Sequence, residues 1–364
     1  MKITLVTAIL ASGLWTAVTI TALARAEGGW NARAAATYLD ERQGWWMTWP
    51  TAARDLETSC VSCHTALPYA LARPALRAPL GETQLSTTER KMLDNITRRV
   101  RMWKDVGPFY DDQSRGLPKT SESRGTESVL NALILARYDA ASGTLGADTR
   151  TALANMWALQ FTAGTMKGSW AWLNFRNAPW ESDESQYWGT TLAAIAAGTA
   201  PGYQSAPELT ERLTMLREFL ARTFDTQPLH NRVFVLWAQA RLNGIITEEQ
   251  RQATLRELLT RQQADGGWSL ASLAAWTPRR DKTPFETTSD GYATGAIAYA
   301  LQQAGVARAD APVAKALAWL TANQDTNAGT WTSYSLNRSR DLTSDVGRFM
   351  SDAATAYAIL ALSP

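Results

Sequence analysis

Cysteine and histidine are scarce in this chain: two of each in 364 residues. So few thiols exclude a disulfide framework and a four-cysteine zinc site. An excess of one charge is also lacking. Thirty-six basic against 34 acidic residues leave a net +2, which argues against a nucleic-acid binder. After residue 23 no apolar run reaches the roughly 18 residues of a membrane span. No segment shows the two-residue alternation of strands, so no sheet competes for the chain. Apolar residues are not scarce. They make up 45% of the chain and include 16 Trp, enough for one large core.

Both cysteines and one of the two histidines fall in a single pentapeptide, Cys60-Val61-Ser62-Cys63-His64. This is the spacing at which two thiols add to the vinyl groups of a haem, with the adjacent His as axial ligand. The expectation is one covalent haem c on Cys60 and Cys63, with His64 proximal to the iron. Two other chemistries use the same residues. A redox dithiol needs a βαβ setting, which is missing. A Cys–Cys–His zinc site needs a fourth ligand, and only His230 remains as a second His.

The N-terminus supports the haem expectation. Residues 1–26 read as a secretory signal, with Lys2, an apolar run from Ile3 to Leu23, and Ala24-Arg25-Ala26 before Glu27. Haem attachment to CxxCH occurs outside the cytoplasm in bacteria, so a periplasmic location is expected. An uncleaved signal anchor would be the only membrane attachment. The mature chain, 27–364, reads as one domain.

A repeat runs along it. An amphipathic helix leads to Gln, then Gly and Trp, then a loop and an Ala-rich apolar helix. The clearest copies have Thr247–Arg261 with Gln263 to Trp268 and a helix from Asp290, and Ala311–Asn323 with Gln324 to Trp331 and a helix from Asp352. Ala147–Leu159 with Gln160 to Trp170 and Glu184–Ala197 is a stretched copy. Ala206–Thr223 and Thr87–Lys104 lead to helices at His230 and Glu127 without the element. Asn31–Asp40 with Gln43-Gly44-Trp45-Trp46 leads to a helix beginning at the haem motif. The second helices start near 60, 127, 184, 231, 290 and 352. The first helix of each pair is charged on one face; the second is apolar all round and therefore buried. Six such pairs predict an all-α (α/α)6 toroid. An open α-solenoid is the alternative.

The Gln-to-Trp elements resemble the QW repeat of squalene-hopene cyclases, and the six pairs resemble the toroid of protein prenyltransferase β subunits. The resemblance covers most of the mature chain as architecture. It implies Gln residues that tie helix ends and Trp residues that pack on neighbouring helices. For a cyclase it also implies an acid in an Asp-x-Asp-Asp element. The nearest match is Glu181-Ser182-Asp183-Glu184, making Asp183 and Glu184 the catalytic candidates, with helix capping the plainer reading. The prenyltransferase zinc needs a Cys that the haem motif has already taken. Toroidal glycosidases use paired carboxylates, but Glu127, Glu184, Asp290 and Asp352 recur at helix starts and read as caps.

Parallel inner helices would gather their N-termini, and the haem, at one mouth. Arg176, Arg279, Arg280, Lys282, Arg338, Arg340 and Arg348 are candidates there for propionate contacts. For the distal iron position the candidates are His230, Met47 and then Met350, or an open site. The expected function is redox or electron transfer in the periplasm, with a redox partner protein and an apolar ligand such as an isoprenoid or other lipid. The alternatives are a haem-bearing subunit or scaffold of a larger complex, and a cyclase-like or glycan-active enzyme with an incidental CxxCH.

Overall fold

The computed structural model describes residues 29–363; the expected signal at 1–26 lies outside the described residues. The described chain is mostly helical. Twelve helices of seven residues or more carry it: α1 (Ala32–Thr48), α2 (Ala66–Ala72), α3 (Thr87–Arg101), α4 (Lys119–Ser142), α5 (Ala147–Ala158), α6 (Ser185–Thr199), α7 (Thr210–Thr223), α8 (Leu229–Arg241), α9 (Glu248–Arg261), α10 (Gly291–Gln303), α11 (Ala311–Ala322) and α12 (Phe349–Leu362). The only strands among the described residues are β1 (Ala53–Arg54) and β2 (Thr58–Ser59), an antiparallel hairpin.

Local chemistry sets several helix starts. Ser86 and Glu89 form a reciprocal capping box on α3, and Thr247 and Gln250 do the same on α9. Asp290 caps α10 by accepting from the amides of Tyr292 and Ala293, both at 3.0 Å.

Odd and even helices differ as the sequence suggests. In α3 one stripe is buried, including Met92, Ile96 and Val100, while in α12 every residue from Met350 to Leu362 is buried. The even helices contact one another in chain order, α2 to α4 to α6 to α8 to α10 to α12, and α12 packs back on α2. They run parallel. Near their N-termini, Thr65 bonds Asp352, Asn231 bonds the Glu184 carbonyl, and His230 bonds Tyr292. At their C-terminal ends, Arg241 bonds Gln303 and Gln302 bonds the Ala361 carbonyl. α10 and α12 approach closely because Gly295 lies against the backbone of Ala358, where a Cβ would sit 2.6 Å from its nitrogen.

The Gln and Trp residues have distinct jobs. The indole N–H groups of Trp170, Trp268 and Trp331 donate to the carbonyls of Met156, Leu258 and Leu320 in the helix just before each. These carbonyls lie near helix C-termini, where intrahelical partners run out. The Gln side chains reach the next odd helix. Gln160 bonds the Arg212 carbonyl, and Gln262 bonds that of Pro312. Gln324 bonds both backbone groups of Asn31, 293 residues away, at 2.6 and 3.1 Å. The tying residue of the fifth pair is therefore Gln262, one position before the Gln263 expected.

Four further expectations need correction. Gln43 to Trp46 are not a loop element, because α1 continues through them to Thr48 with Gly44 too weak a breaker to stop it. The inner helix of the first pair begins at Ala66, so the haem motif lies in the turn before it. α4 begins at Lys119, eight residues before Glu127. Of the four recurrent acidic residues only Asp290 is a side-chain cap. Glu127 pairs with Arg99 inside α4, Asp352 pairs with Arg42 inside α12, and Glu184 makes no cap bond.

Candidate cofactor site

The β1–β2 hairpin delivers the chain into the motif, and the Cys60 amide donates to the Ala52 carbonyl at 2.8 Å. The Ser62 hydroxyl then accepts from the amides of Thr65 and Ala66, at 3.2 and 3.0 Å, and so starts α2. Trp46 on α1 fixes the first cysteine by donating its indole N–H to the Cys60 carbonyl at 2.6 Å. Cys60 to His64 are thus held by a hairpin, a serine cap and an indole.

Cys63 and His64 open on a cavity of about 230 Å³ that is also lined by Trp46, Trp49, Trp180, Phe349, Met350, Glu181 and Arg340. Phe349 stacks on the His64 ring at 3.8 Å, and Trp46 meets it edge-on at 4.9 Å. Burial, with a smaller contribution from Arg42, lowers the His64 pKa to about 3. The imidazole is therefore neutral, the form that ligates a metal. Its Nδ1 lies 2.9 Å from the Thr65 hydroxyl, which donates to Asp352 at 2.7 Å.

The thiols are not those of a reactive dithiol. Both cysteines are free and buried. Burial pushes Cys60 up to about 12 and Cys63 well above its ordinary value, with Glu181 adding to both. A catalytic dithiol needs the opposite shift. The zinc alternative also loses ground. Among the described residues no three or more His, Cys, Asp or Glu side chains are grouped to hold an ion.

The distal candidates separate clearly. His230 does not line the cavity. It is buried, its Nε2 lies 2.9 Å from the Tyr292 hydroxyl, and its Nδ1 lies 3.1 Å from Asn231 Oδ1. Both nitrogens are occupied within the protein, and burial lowers its pKa to about 4. Met47 is half-buried on α1 and also lies outside the lining, whereas Met350, at the start of α12, is part of it.

The cationic candidates separate too. Arg279 is buried, pairs with Glu286 and holds the carbonyls of Ser335 and Pro284. It organises its loop. Arg340 lines the cavity and has no carboxylate partner among the described residues. Burial first, then Arg338 and Arg280, push its pKa down.

Asp183 and Glu184 are exposed and do not line this cavity. Asp183 accepts from Asn174 at 2.6 Å, and both carboxylates face a neighbouring open groove of about 810 Å³. Sequence reasoning missed Glu181, two residues earlier. Burial raises its carboxyl to about 7 against an ordinary 4.5, and it shares the cavity with Cys63 and His64. Its place in an acidic tetrapeptide was visible, but its direction was not.

The interior between α6, α8, α10 and α12 is filled with rings. Trp188 meets Phe234 at 5.8 Å, Phe234 meets Tyr357 at 5.6 Å, and Tyr357 meets Tyr292 at 5.6 Å. Phe234 on α8 and Tyr357 on α12 are two helices apart, so these rings reach across the space a cyclase-like chamber would need.

No protein-family model matches the chain, and no curated protein matches it.

Proposed function

We propose that this is an exported c-type haem protein that carries electrons, built on an (α/α)6 toroid. The toroid reading rests on the closed order of even-helix contacts and on Gln324 tying the last repeat to Asn31 of the first. The haem reading rests on one observation above all. Cys63 and His64 of the CxxCH motif open on the same aromatic cavity as Met350, with the thiols unactivated and the imidazole neutral.

The residues present fit the group. Cys60 and Cys63 would carry the thioethers, and His64 and Met350 would ligate the iron; Cys63, His64 and Met350 line the cavity, and Cys60 lies buried in the same turn, outside the lining. Arg340, a cation without a carboxylate partner among the described residues, suits a propionate. A haem held there supplies reversible one-electron chemistry, and His/Met ligation would raise its potential relative to bis-His. The protein's contribution is to keep water from the ligands with Trp46, Trp49, Trp180 and Phe349, and to hold His64 in a fixed orientation. The filled interior leaves little support for an isoprenoid or lipid ligand between those helices, so electron transfer to a redox partner protein is the preferred reading. Export to the periplasm follows from residues 1–26 and from the compartment in which the motif is loaded.

The test is an absorbance spectrum of the chain exported from a host with haem-attachment machinery. The expected result is a covalent haem spectrum, six-coordinate and unchanged by CO. Absence of covalent haem would remove the proposal. Immediate CO binding would favour ligand or peroxide chemistry over electron carriage.

A further inference from the structure

We infer that Thr65 and Asp352 are positioning residues that fix the His64 tautomer and pass the charge of a buried carboxylate to the iron ligand; this rests on the haem reading above. The directions of the bonds follow from the donors available. Asp352 is buried, and the Arg42 guanidinium forks onto both of its oxygens, which holds it as a carboxylate that can only accept. Its Oδ1 accepts from the Tyr38 hydroxyl and from Arg42 Nε, each at 2.7 Å. Its Oδ2 accepts from Arg42 Nη2 at 3.1 Å and from the Thr65 hydroxyl at 2.7 Å.

Thr65 has one hydroxyl proton, and Asp352 takes it. Toward His64, 2.9 Å away, the same oxygen can therefore act only as an acceptor. His64 must donate from Nδ1, so its proton sits on Nδ1 and the Nε2 lone pair is bare. Nε2 is then the ligating atom. Metal-bound imidazoles commonly donate their other N–H to a carboxylate or carbonyl, which orients the ring and raises its basicity. Here a threonine relays that contact, because Thr65 directly follows the ligand and Asp352 comes from the last inner helix.

A more basic ligand favours the oxidised iron, so the relay lowers the reduction potential. Thr65→Val keeps the side-chain shape and breaks the relay, whereas Thr65→Ser keeps the hydroxyl. Thr65 makes no side-chain cap bond to α2, and Asp352 retains Arg42 and Tyr38 in both variants.

The experiment measures the midpoint potential of the haem-loaded wild type and both variants, with ¹⁵N NMR of the His64 ring in each. Thr65→Val should shift the oxidised-to-reduced equilibrium about tenfold toward the reduced form, ~59 mV upward for one electron. Thr65→Ser should stay near wild type. NMR should show a protonated Nδ1 in wild type. A potential unchanged in Thr65→Val, or shifted equally in Thr65→Ser, overturns the inference, and so does an unprotonated Nδ1. If no haem is attached, the site reading fails instead, and the ring tautomer still decides whether the relay exists.

Discussion

Replacing Arg42 by Met should weaken the whole fold, because Arg42 and Asp352 join the first and last helix pairs. Their side chains are 4% and 2% exposed, and the Nε–Oδ1 distance is 2.7 Å. Arg42 also bonds the carbonyl and carboxylate of Asp345 at 2.7 and 2.9 Å, but that carboxylate is half exposed and adds little. Without Arg42, Asp352 keeps only Tyr38 and Thr65 as donors in a buried site. Breaking a buried pair from one side costs about 3–5 kcal/mol. At an m-value of ~3 kcal/mol/M, the urea midpoint should fall by about 1–1.7 M. The assay is equilibrium unfolding followed by tryptophan fluorescence. Adding Asp352→Asn removes the stranded charge, so the double variant should recover part of the loss, with a coupling of about 0.5–3 kcal/mol. A loss below about 1 kcal/mol, the size of an exposed ion pair, would refute the reasoning, as would strict additivity.

Met350→Ala should abolish the sulfur-to-iron charge-transfer absorption of the haem-loaded protein, while His230→Ala and Met47→Ala should leave it intact; an effect from His230 instead would reverse the distal assignment. Glu181 has a folded pKa of about 7 against an ordinary 4.5. The stability its protonated form contributes is thus full below about 4.5 and lost as pH rises through about 7. Glu181→Gln should flatten the fall in unfolding midpoint between pH 5 and 8, and parallel curves would contradict this. Gly189→Ala would place a Cβ 2.0 Å from the Trp172 ring and should cost about 1–3 kcal/mol or more. Gly44→Ala, with nothing within 4 Å, should instead gain about 0.5–1 kcal/mol in the middle of α1. Thermal melts of the two decide whether close backbone approach, rather than glycine content, is what the fold requires.

The helices were legible because burial stamps a period on the sequence. The charged face of α9 and the all-apolar α12 could be told apart by composition alone. The Gln–Trp elements were legible as a repeat, though not down to the atom. Whether Gln262 or Gln263 reaches the next helix depends on where α9 ends, a matter of one residue. α1 overran its expected end because nothing between Asp40 and Thr48 forbids a helix. At the site, the motif was readable from five adjacent residues, and the lining was not. Trp180, Glu181, Arg340 and Met350 come from loops and helix starts 117 to 287 residues away from Cys63, and only folding brings them to one cavity. His230 looked attractive as a ligand because it begins a helix opposite the motif. Tyr292 and Asn231, which occupy both its nitrogens, could not be inferred from spacing.

The most direct test is mass spectrometry of the exported chain, digested and alkylated. The peptide holding Cys60 to His64 should carry the added mass of one protohaem, with neither sulfur open to alkylation. A peptide of unmodified mass whose two thiols both alkylate, or form a disulfide with each other, would contradict the account.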